Sequence, residues 1–392
     1  MDIFLGINAI KRIETYKFGV FKLQQGLDAS VVDVLLQRVQ DAQQRFKTSP
    51  LASVATLLEK EVVVNSVFGT NTIEGGELSE QETALALSLS PEQIQNTQQQ
   101  RVINIKSAYD YVREVSVAEQ WHPTLDNVFE IYRKVTADLE AEEERNMPGL
   151  LRSNPDGVVT QVGNIEHGGV YRPPQNGDDI RLLLESLLAW NIKLAEQGVP
   201  ALIRAPLVHL YFEIIHPFWD GNGRVGRVLE AGILYADGFH YAPFAQANYY
   251  LQHIHQYFAL FNGCRKKAAK KSDFPNSDFV AFFLEGLLST INHLHDRVNL
   301  MVQRVLFEMQ LKHLHDEKTL NNRQYAIANE VLKMGEGIAV RELRQAPWHQ
   351  ALYSKLTPKT QSRDLKNLLE LKLVVKDEKD HLFPGFVDLS AR

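Results

Sequence analysis

The sequence lacks several features that would place a protein in a specialised class. Its 392 residues include one cysteine, Cys264, so neither an intramolecular disulfide nor a multi-cysteine metal site can form. No stretch approaches the roughly 18 apolar residues of a membrane span. The N-terminus mixes both charge signs and has no apolar core of the kind found in signal peptides. We therefore expect a cytoplasmic protein with no membrane partner.

A large excess of charge of one sign is also missing. The formal net charge of −6 argues against electrostatic capture of nucleic acid by the whole protein, although a local basic face stays open. The basic residues at 265–267 are interpreted as a solvated turn because no aromatic stacking pattern accompanies them. The length and the 44% hydrophobic content are typical of a globular protein of two or three domains.

Helical periodicity dominates the chain, and strand signals are few. Ser79 and Glu82 have the spacing of a capping box at a helix start, and the pair Gly75-Gly76 predicts the end of the preceding helix. An irregular start precedes the first helix. Helices are predicted over residues 30–45, 51–74, 98–116, 124–139, 178–196, 203–215, 224–235, 247–261 and 277–290.

Two segments depart from this pattern of long amphipathic helices. Residues 149–174 are rich in Gly, Pro, Asn, Val and Thr, and predict a loop with a short β-hairpin. Residues 321–385 predict a compact unit in which short helices are followed by a two-stranded wing. The helices of this unit are expected at 322–334, 338–345 and 360–372, and the strands around 374–376 and 382–383.

Residues 216–227, HPFWDGNGRVGR, combine groups that can bind phosphate. Gly221, Asn222 and Gly223 come directly before a predicted helix, where backbone amides and the helix N-terminus form an anion site. Arg224 and Arg227 are three residues apart, so both project from the first helical turn towards one region. The pattern predicts a site for a polyphosphate.

The same stretch holds a candidate base and a candidate metal ligand. His216, at the end of the preceding helix, can serve as a general base near neutral pH. Asp220 supplies a hard carboxylate suited to Mg²⁺ that bridges phosphates. Each residue alone has a common structural interpretation, such as a helix end or an N-cap. Seven specified residues in one frame match by chance on the order of once in 10⁹ positions.

This stretch resembles the active-site motif of the Fic family of AMP-transferring enzymes. The resemblance implies that His216 deprotonates a Ser, Thr or Tyr hydroxyl of a target protein. The hydroxyl then attacks the α-phosphorus of ATP, and pyrophosphate leaves. In that scheme Asp220 holds Mg²⁺, the Gly221–Gly223 amides line the anion hole, and Arg224 and Arg227 hold the β- and γ-phosphates.

A second match lies far upstream of the motif. The residues Thr70-Asn-Thr-Ile-Glu74-Gly75 resemble the inhibitory motif of Fic proteins whose autoinhibitory helix precedes the core. The resemblance implies that Glu74 pairs with Arg227 and blocks productive binding of the γ-phosphate. In some relatives the same glutamate orients a water that removes AMP from modified proteins, so removal of AMP stays open as the main reaction.

Two further matches concern the substrates. The segment with Gly149-x-x-Arg152 and residues 160–163 and 171–174 resembles the Fic flap, which clamps a target backbone by strand addition. Tyr257 lies where relatives place an aromatic residue near the adenosine. At the next position Phe258 replaces the commoner tyrosine and lacks its hydroxyl.

We expect an all-α fold with a small flap hairpin. An N-terminal helical region (1–59) precedes a Fic core (60–295), a connecting helix (296–320) and a module that resembles a winged helix (321–392). Helix 360–372 carries three basic and two acidic side chains, and so small a net charge gives only modest support for DNA binding. Packing or contact with a partner is at least as consistent with this helix. A DNA-binding regulator is therefore an alternative function, and self-modification and a homodimer are left open.

Overall fold

The computed structural model describes residues 10–48, 58–117, 121–139, 150–335 and 337–387. The chain divides into two compact units, Met1–Leu294 and His295–Arg392. The predominantly helical fold predicted from the periodicity is confirmed. Among the helices of the described ranges, none is long and apolar enough to cross a membrane.

The first unit opens with a short β-hairpin where the sequence predicted an irregular start. Strands β1 (Lys11–Glu14) and β2 (Val20–Leu23) pair antiparallel, with Lys11 opposite Leu23. The Asp179 carboxylate accepts hydrogen bonds from three consecutive backbone N–H groups in the connecting turn, residues 16–18, at 2.6–3.0 Å. The hairpin depends on this distant carboxylate, which local sequence patterns do not reveal.

Eleven helices begin in the first unit, within the described residues, and most agree with the predicted ranges. The predicted helix at 247–261 is instead two helices, because the backbone leaves the helical conformation at His253. The helices are α1 (Ala29–Thr48), α2 (Glu59–Ile73), α3 (Glu80–Ala86), α4 (Thr97–Val115), α5 (Leu125–Thr136), α6 (Gly177–Glu196), α7 (Ala201–Ile215), α8 (Asn222–Ala236), α9 (Ala242–Gln252), α10 (Ile254–Ala269) and α11 (Ser277–Asp316). A single 3₁₀ turn, Pro91–Gln93, follows α3.

The helix predicted at 277–290 and the connecting helix predicted at 296–320 are one helix, which ends at residue 316. Helix α11 runs without a break from Ser277 to Asp316, and no proline interrupts it. For the helix predicted at 51–74, residues 51–57 lie outside the described ranges, and α2 begins at Glu59. The capping box of Ser79 and Glu82 is confirmed at the start of α3.

Helix α7 lies at the centre of the first unit. It is apolar around nearly its whole circumference, and all of its residues except Glu213 are buried. A helix that is hydrophobic on every side is expected in a core surrounded by other helices. Helices α6 and α8 pack against it, and α2 packs against α9. The C-terminal end of α7 and the N-terminal end of α8 are thereby held in fixed positions.

The interrupted segment forms less sheet than predicted. Gly149, the first residue of the predicted flap, lies outside the described ranges. From residue 150 onwards the segment consists of turns and one antiparallel bridge, in which Val162 and Tyr171 exchange backbone hydrogen bonds of 2.9 and 3.0 Å. The glycines between these two residues favour turns over an extended ladder. We refer to residues 150–174 as the flap.

In the described residues of the second unit there are four further helices and a three-stranded antiparallel sheet of order β3-β5-β4. The predicted two-stranded wing gains a third strand, because residues 338–339 are extended and the helix predicted at 338–345 starts only at Val340. Leu311, Val331, Leu368 and Leu382 are fully buried in its core. The elements are α12 (Asn322–Met334), β3 (Ile338–Ala339), α13 (Val340–Gln345), α14 (Pro347–Leu352), α15 (Pro358–Glu370), β4 (Val374–Lys376) and β5 (His381–Pro384).

Candidate active site

The loop between α7 and α8 carries the candidate site and is held at both ends. Helix α7 ends at Ile215, and the next residue, His216, has a left-handed backbone (φ 52°). Helix α8 begins after Gly221, which is also left-handed (φ 79°). The Asn222 side chain accepts a hydrogen bond from the Phe218 N–H (2.9 Å) and donates one to the Phe218 carbonyl (2.8 Å). Asn222 thus closes the loop into a rigid turn.

Two buried side chains fix this loop from outside. The Phe218 ring is fully buried and stacks on Tyr132, with ring centroids 3.8 Å apart. Arg152, also fully buried, donates to the carbonyls of His216 (3.0 Å) and Pro174 (2.7 Å). Burial lowers the pKa of Arg152 to about 10. Arg152 therefore ties the base of the flap to the loop that carries His216.

A cavity of about 300 Å³ opens beside this loop. Its wall includes the predicted base His216, the predicted metal ligand Asp220 and the predicted inhibitory residue Glu74. The remaining predicted site residues that line it are Gly221, Asn222, Gly223, Arg227 and Tyr257. Side chains from four separate regions of the sequence meet here, from α2, the flap, the α7–α8 junction and α10.

Arg224 is the one predicted site residue that does not line the cavity. Its buried guanidinium donates to the Val135 carbonyl (3.1 Å) and to the Asp220 carboxylate (2.5 Å). The Asp220 side chain remains 61% exposed. Although burial alone would raise the pKa of Asp220, Arg224 lowers it below its ordinary value. Arg224 therefore keeps Asp220 ionised and oriented at the edge of the cavity.

Glu74 and Arg227 form an ion pair on the cavity wall. Glu74 caps the C-terminal end of α2, and its Oε1 atom lies 2.7 Å from Arg227 Nη2. The Arg227 side chain is only 2% exposed. A Cβ atom on Gly223 would lie 2.2 Å from Glu74 Oε1 and 3.1 Å from Arg227 Nη1. Glycine at position 223 is thus what allows the carboxylate to reach the arginine.

Arg101 is a site residue that the sequence analysis missed. From α4 it donates from Nη2 to the backbone carbonyl of Glu74, at 2.9 Å. Burial lowers the pKa of Arg101, and the neighbouring cation Arg224 lowers it further. The contact places a positive charge at the end of α2, where the helix dipole is negative. An arginine on an amphipathic helix carries no sequence signal for such a role.

Glu213, also missed, lies one turn before His216 on α7. Its Oε2 atom is 3.9 Å from His216 Nδ1. Burial and the nearby Glu74 raise the pKa of Glu213 to about 8, although Arg227 opposes this. Burial, followed by the nearby Arg152, lowers the pKa of His216 to about 4. The imidazole is therefore neutral near pH 7, which is the form that accepts a proton.

The flap and α10 close the opposite wall of the cavity. The His167 ring of the flap lies 5.3 Å from Phe258 and 5.0 Å from His255. Asn262 and Lys266 both donate to the Gly168 carbonyl at 2.7 Å. The Tyr257 hydroxyl, in contrast, points at Arg227 (3.1 Å). The wall formed by the flap and α10 is aromatic and suits a flat ring such as a nucleobase.

Asp220 is the exposed carboxylate of this cavity, whereas the Glu74 carboxylate is paired with Arg227. Across the described ranges, no three His, Cys, Asp or Glu side chains cluster closely enough to hold a metal ion by themselves. Mg²⁺ usually takes one or two protein carboxylates and completes its shell with water and substrate phosphates. The donor set therefore fits a magnesium ion that arrives with a nucleotide.

Comparison with known proteins places residues 122–234 within the model of the Fic/DOC family. A protein adenylyltransferase Fic from Nematostella vectensis is 24% identical over 208 residues, which cover 52% of this chain and 45% of that protein. A protein of the same name from Culex quinquefasciatus is 26% identical over 239 residues, covering 59% of this chain and 43% of its own. The chain thus spans less than half the length of these curated relatives.

Solved structures share the fold. A Fic family protein from Desulfovibrio desulfuricans G20 matches with a TM-score of 0.55 and 16% identity, over 91% of this chain and 97% of its own. A Fic-1 fragment from C. elegans matches with a TM-score of 0.53 and 19% identity, over 70% and 74% of the two chains. At such identities these matches establish similarity of fold and no more.

Proposed function

We propose that the chain, whose residues 122–234 match the model of the Fic/DOC family, transfers AMP from ATP to a hydroxyl of a protein substrate. The observation that carries the proposal is the cavity in which a neutral histidine, an exposed carboxylate and a glycine turn at a helix N-terminus converge. His216, Asp220 and residues 221–223 supply these groups. Pyrophosphate is the leaving group, and Glu74 holds the resting enzyme inactive.

His216 is the general base. In its neutral form it takes the proton from a Ser, Thr or Tyr hydroxyl, and the hydroxyl oxygen attacks the α-phosphorus. The buried position of the ring favours the neutral form, which leaves it ready to accept that proton. Arg152 fixes the backbone that carries the ring through the bond to the His216 carbonyl. The histidine is thereby held in place before the substrate arrives.

The α8 N-terminus and Arg227 bind the phosphates. Backbone amides at Asn222 and Gly223 have no earlier turn of helix to pair with, so they are available to an anion. Arg227 supplies a buried positive charge beside them. Asp220 would hold Mg²⁺, which when bound neutralises phosphate charge and orients the oxygens. Arg224 contributes through its bond to Asp220 and through its charge.

Glu74 inhibits by occupying Arg227. A triphosphate needs the same guanidinium, and the carboxylate places negative charge where the γ-phosphate must lie. ATP must then displace Glu74 or bind out of line, which disfavours in-line attack on the α-phosphorus. Inhibition of this kind reduces the rate of transfer more than it reduces nucleotide affinity.

Glu74→Gly tests the proposal. With ATP labelled at the α-phosphate, we expect this variant to label protein, including itself, at least about tenfold faster than wild type. ATP labelled at the γ-phosphate must leave no label if AMP is the group transferred. Equal rates for wild type and Glu74→Gly would refute inhibition by Glu74.

Glu77→Gly is a matched control for that experiment. Glu77 is an exposed carboxylate three residues further along, outside the cavity wall. Its removal changes the charge and the local flexibility in a similar way, so its labelling rate should equal that of wild type. Transfer that rose equally in both variants would indicate loosening of the α2–α3 loop instead of release of Arg227.

Removal of AMP is the second candidate reaction. It is favoured by the position of Glu74 on the same cavity wall as His216, where its carboxylate could orient a water. The protein labelled by Glu74→Gly is the substrate for this test. Loss of label on addition of unlabelled wild type, and not of Glu74→Gly, would support removal as the main reaction.

A further inference from the structure

A chain of buried polar side chains leads from Arg227 away from the cavity and into the core. Arg227 Nη1 lies 3.1 Å from the Tyr257 hydroxyl, which lies 3.1 Å from His209 Nε2. His209 Nδ1 lies 2.6 Å from Glu230 Oε2. Tyr257, His209 and Glu230 are each at most 2% exposed. We call these three residues the relay.

The two ends of the relay set its hydrogen-bond directions, because a guanidinium can only donate and a carboxylate can only accept. The Tyr257 oxygen therefore accepts from Arg227, and His209 donates from Nδ1 to Glu230. With one proton on its ring, His209 then accepts the Tyr257 hydroxyl proton at Nε2. The Tyr250 hydroxyl donates to Glu230 Oε1 at 2.8 Å. Each donor from Arg227 Nη1 to Glu230 has an acceptor, in a single consistent arrangement.

The relay connects a buried acid to a buried cation. Among the described residues, the ion-pair partner of Glu230 is His209 and not an arginine or lysine. A carboxylate this deep is costly unless hydrogen bonds and a positive charge compensate it. Polarised hydrogen bonds through Tyr257 and His209 let Glu230 and Arg227 compensate one another across two intervening side chains.

The relay matters most when Glu74 leaves. In the described structure Arg227 contacts Glu74, Tyr257 and, at 3.4 Å, the carbonyl of Thr70. Displacement of Glu74 removes the only carboxylate among these three partners and leaves Tyr257 as the closest. We propose that Glu230, acting through His209 and Tyr257, positions Arg227 for the nucleotide after Glu74 is displaced. This inference deepens the proposed function and rests on it for the identity of the ligand.

The first test is independent of any reaction. It is an NMR experiment on nucleotide-free Glu74→Gly protein with ¹⁵N-labelled arginine. The Arg227 signals are identified as those that disappear when Arg227→Lys is added to this variant. We expect resolved guanidinium signals for Arg227, because the relay slows rotation of the group. When Tyr257→Phe or His209→Gln is added, the Arg227 guanidinium should rotate faster. Its separate signals should then merge into one averaged signal, as they do for exposed arginines. Unchanged Arg227 signals in both variants would overturn the proposal.

A matched control guards against a general loss of packing. Tyr211 is buried like Tyr257 (5% and 1% exposed), and its hydroxyl donates to the Gln24 carbonyl instead, at 3.0 Å. Tyr211→Phe should therefore leave the Arg227 signals unchanged. Thermal unfolding identifies any relay variant that does not fold, in which case Glu230→Gln replaces it. Equal disturbance of Arg227 by Tyr211→Phe would also count against the relay.

The second test measures nucleotide selectivity in the Glu74→Gly background. The relay variants should weaken the binding of ATP by about tenfold and change the binding of ADP little. The reason is that only Arg227, which is proposed to contact the third phosphate, loses its position. Loss of both nucleotides to the same extent would contradict a positioning role. If Glu74→Gly itself bound ATP no more tightly than ADP, the proposed role of Arg227 in binding the γ-phosphate would be refuted. The NMR signals of Arg227 would still test whether the relay positions its guanidinium.

Discussion

His216 combines two properties that a general base needs, a fixed position and a free lone pair. We expect His216→Ala, in the Glu74→Gly background, to reduce AMP transfer by about 10²–10⁴-fold because no other group lies in its place. ATP binding should persist, since the phosphate ligands are separate residues. The measurement pairs label transfer with nucleotide titration, and the exposed His293→Ala serves as control. Transfer at the parent rate would refute the assignment.

Glu213 gives the site a measurable dependence on pH. Its pKa is raised from the ordinary 4.5 to about 8, so the unfolded chain ionises between these values while the folded protein does not. Stability contributed by the protonated acid is complete below pH 4.5 and is lost as pH rises towards 8. Because glutamine cannot ionise, Glu213→Gln should not lose stability in this way as the pH rises. We expect its melting temperature to exceed that of wild type by about 2–4 °C at pH 8.

The same comparison at pH 4 provides the control for Glu213. Near that pH the acid is largely protonated in both the folded protein and the unfolded chain, so Glu213→Gln and wild type should melt within a degree or so of each other. His216, whose pKa is lowered, has the opposite dependence, because its contribution falls as pH drops from 6.5 towards 4. A difference that is the same at both pH values would exclude Glu213 as its source.

At the scale of elements, helix α15 shows how burial changes a charge count. The sequence assigns helix 360–372 three basic and two acidic side chains. In the structure Asp364 is buried and bonded to Arg323 (2.8 Å) and Tyr353 (2.9 Å), so its charge does not reach the surface. The exposed face of α15 carries Lys359, Arg363 and Lys366 with one acid, Glu370. This face is more basic than the sequence suggested.

Three basic side chains still support only weak DNA binding. We expect dissociation constants above about 1 μM at physiological salt and no preference for a DNA sequence. A plot of the logarithm of the association constant against the logarithm of the salt concentration should have a slope no steeper than about −3. Replacing Lys359, Arg363 and Lys366 by Gln should abolish the binding, whereas Lys333→Gln on α12 should not. Sub-micromolar, sequence-selective binding in a gel-shift titration would favour a DNA-binding regulator. The resemblance of this unit to a winged helix stays a prediction.

At the scale of the whole molecule, each unit has a hydrophobic core of its own. Leu368 is fully buried in the core of the second unit. We expect Leu368→Ala to destabilise that unit by about 2–5 kcal/mol because a cavity is left. Label transfer in the Glu74→Gly background should stay within about twofold of the rate of its parent, since the proposed catalytic residues all precede residue 295.

Calorimetry and labelling together check this prediction. Leu371→Ala, at a side chain that is 41% exposed in the same segment, should leave both thermal unfolding and transfer unchanged. A loss of transfer in Leu368→Ala at a temperature where calorimetry shows the first unit folded would contradict the independence of the two units. Such a result would give the second unit a part in catalysis.

The sequence by itself determined the helical class and which groups gather at the loop between α7 and α8. Helical periodicity is a local property, as is the capping box at Ser79, so neither depends on distant contacts. The motif at 216–227 is also local, because the loop and the first turn of α8 present their groups together. Glu74 could be linked to Arg227 only through the resemblance, since the two residues are 153 positions apart.

Only the tertiary structure decided which side chains support the site. Arg101, Glu213 and the relay residues His209 and Glu230 belong to helices whose sequence patterns show only amphipathic or buried surfaces. Their roles come from packing, which brings polar groups together and removes water from them, and so shifts pKa values and fixes hydrogen-bond direction. Packing likewise turned Arg224 away from the cavity. Such effects arise between elements, so no single segment of the sequence contains them.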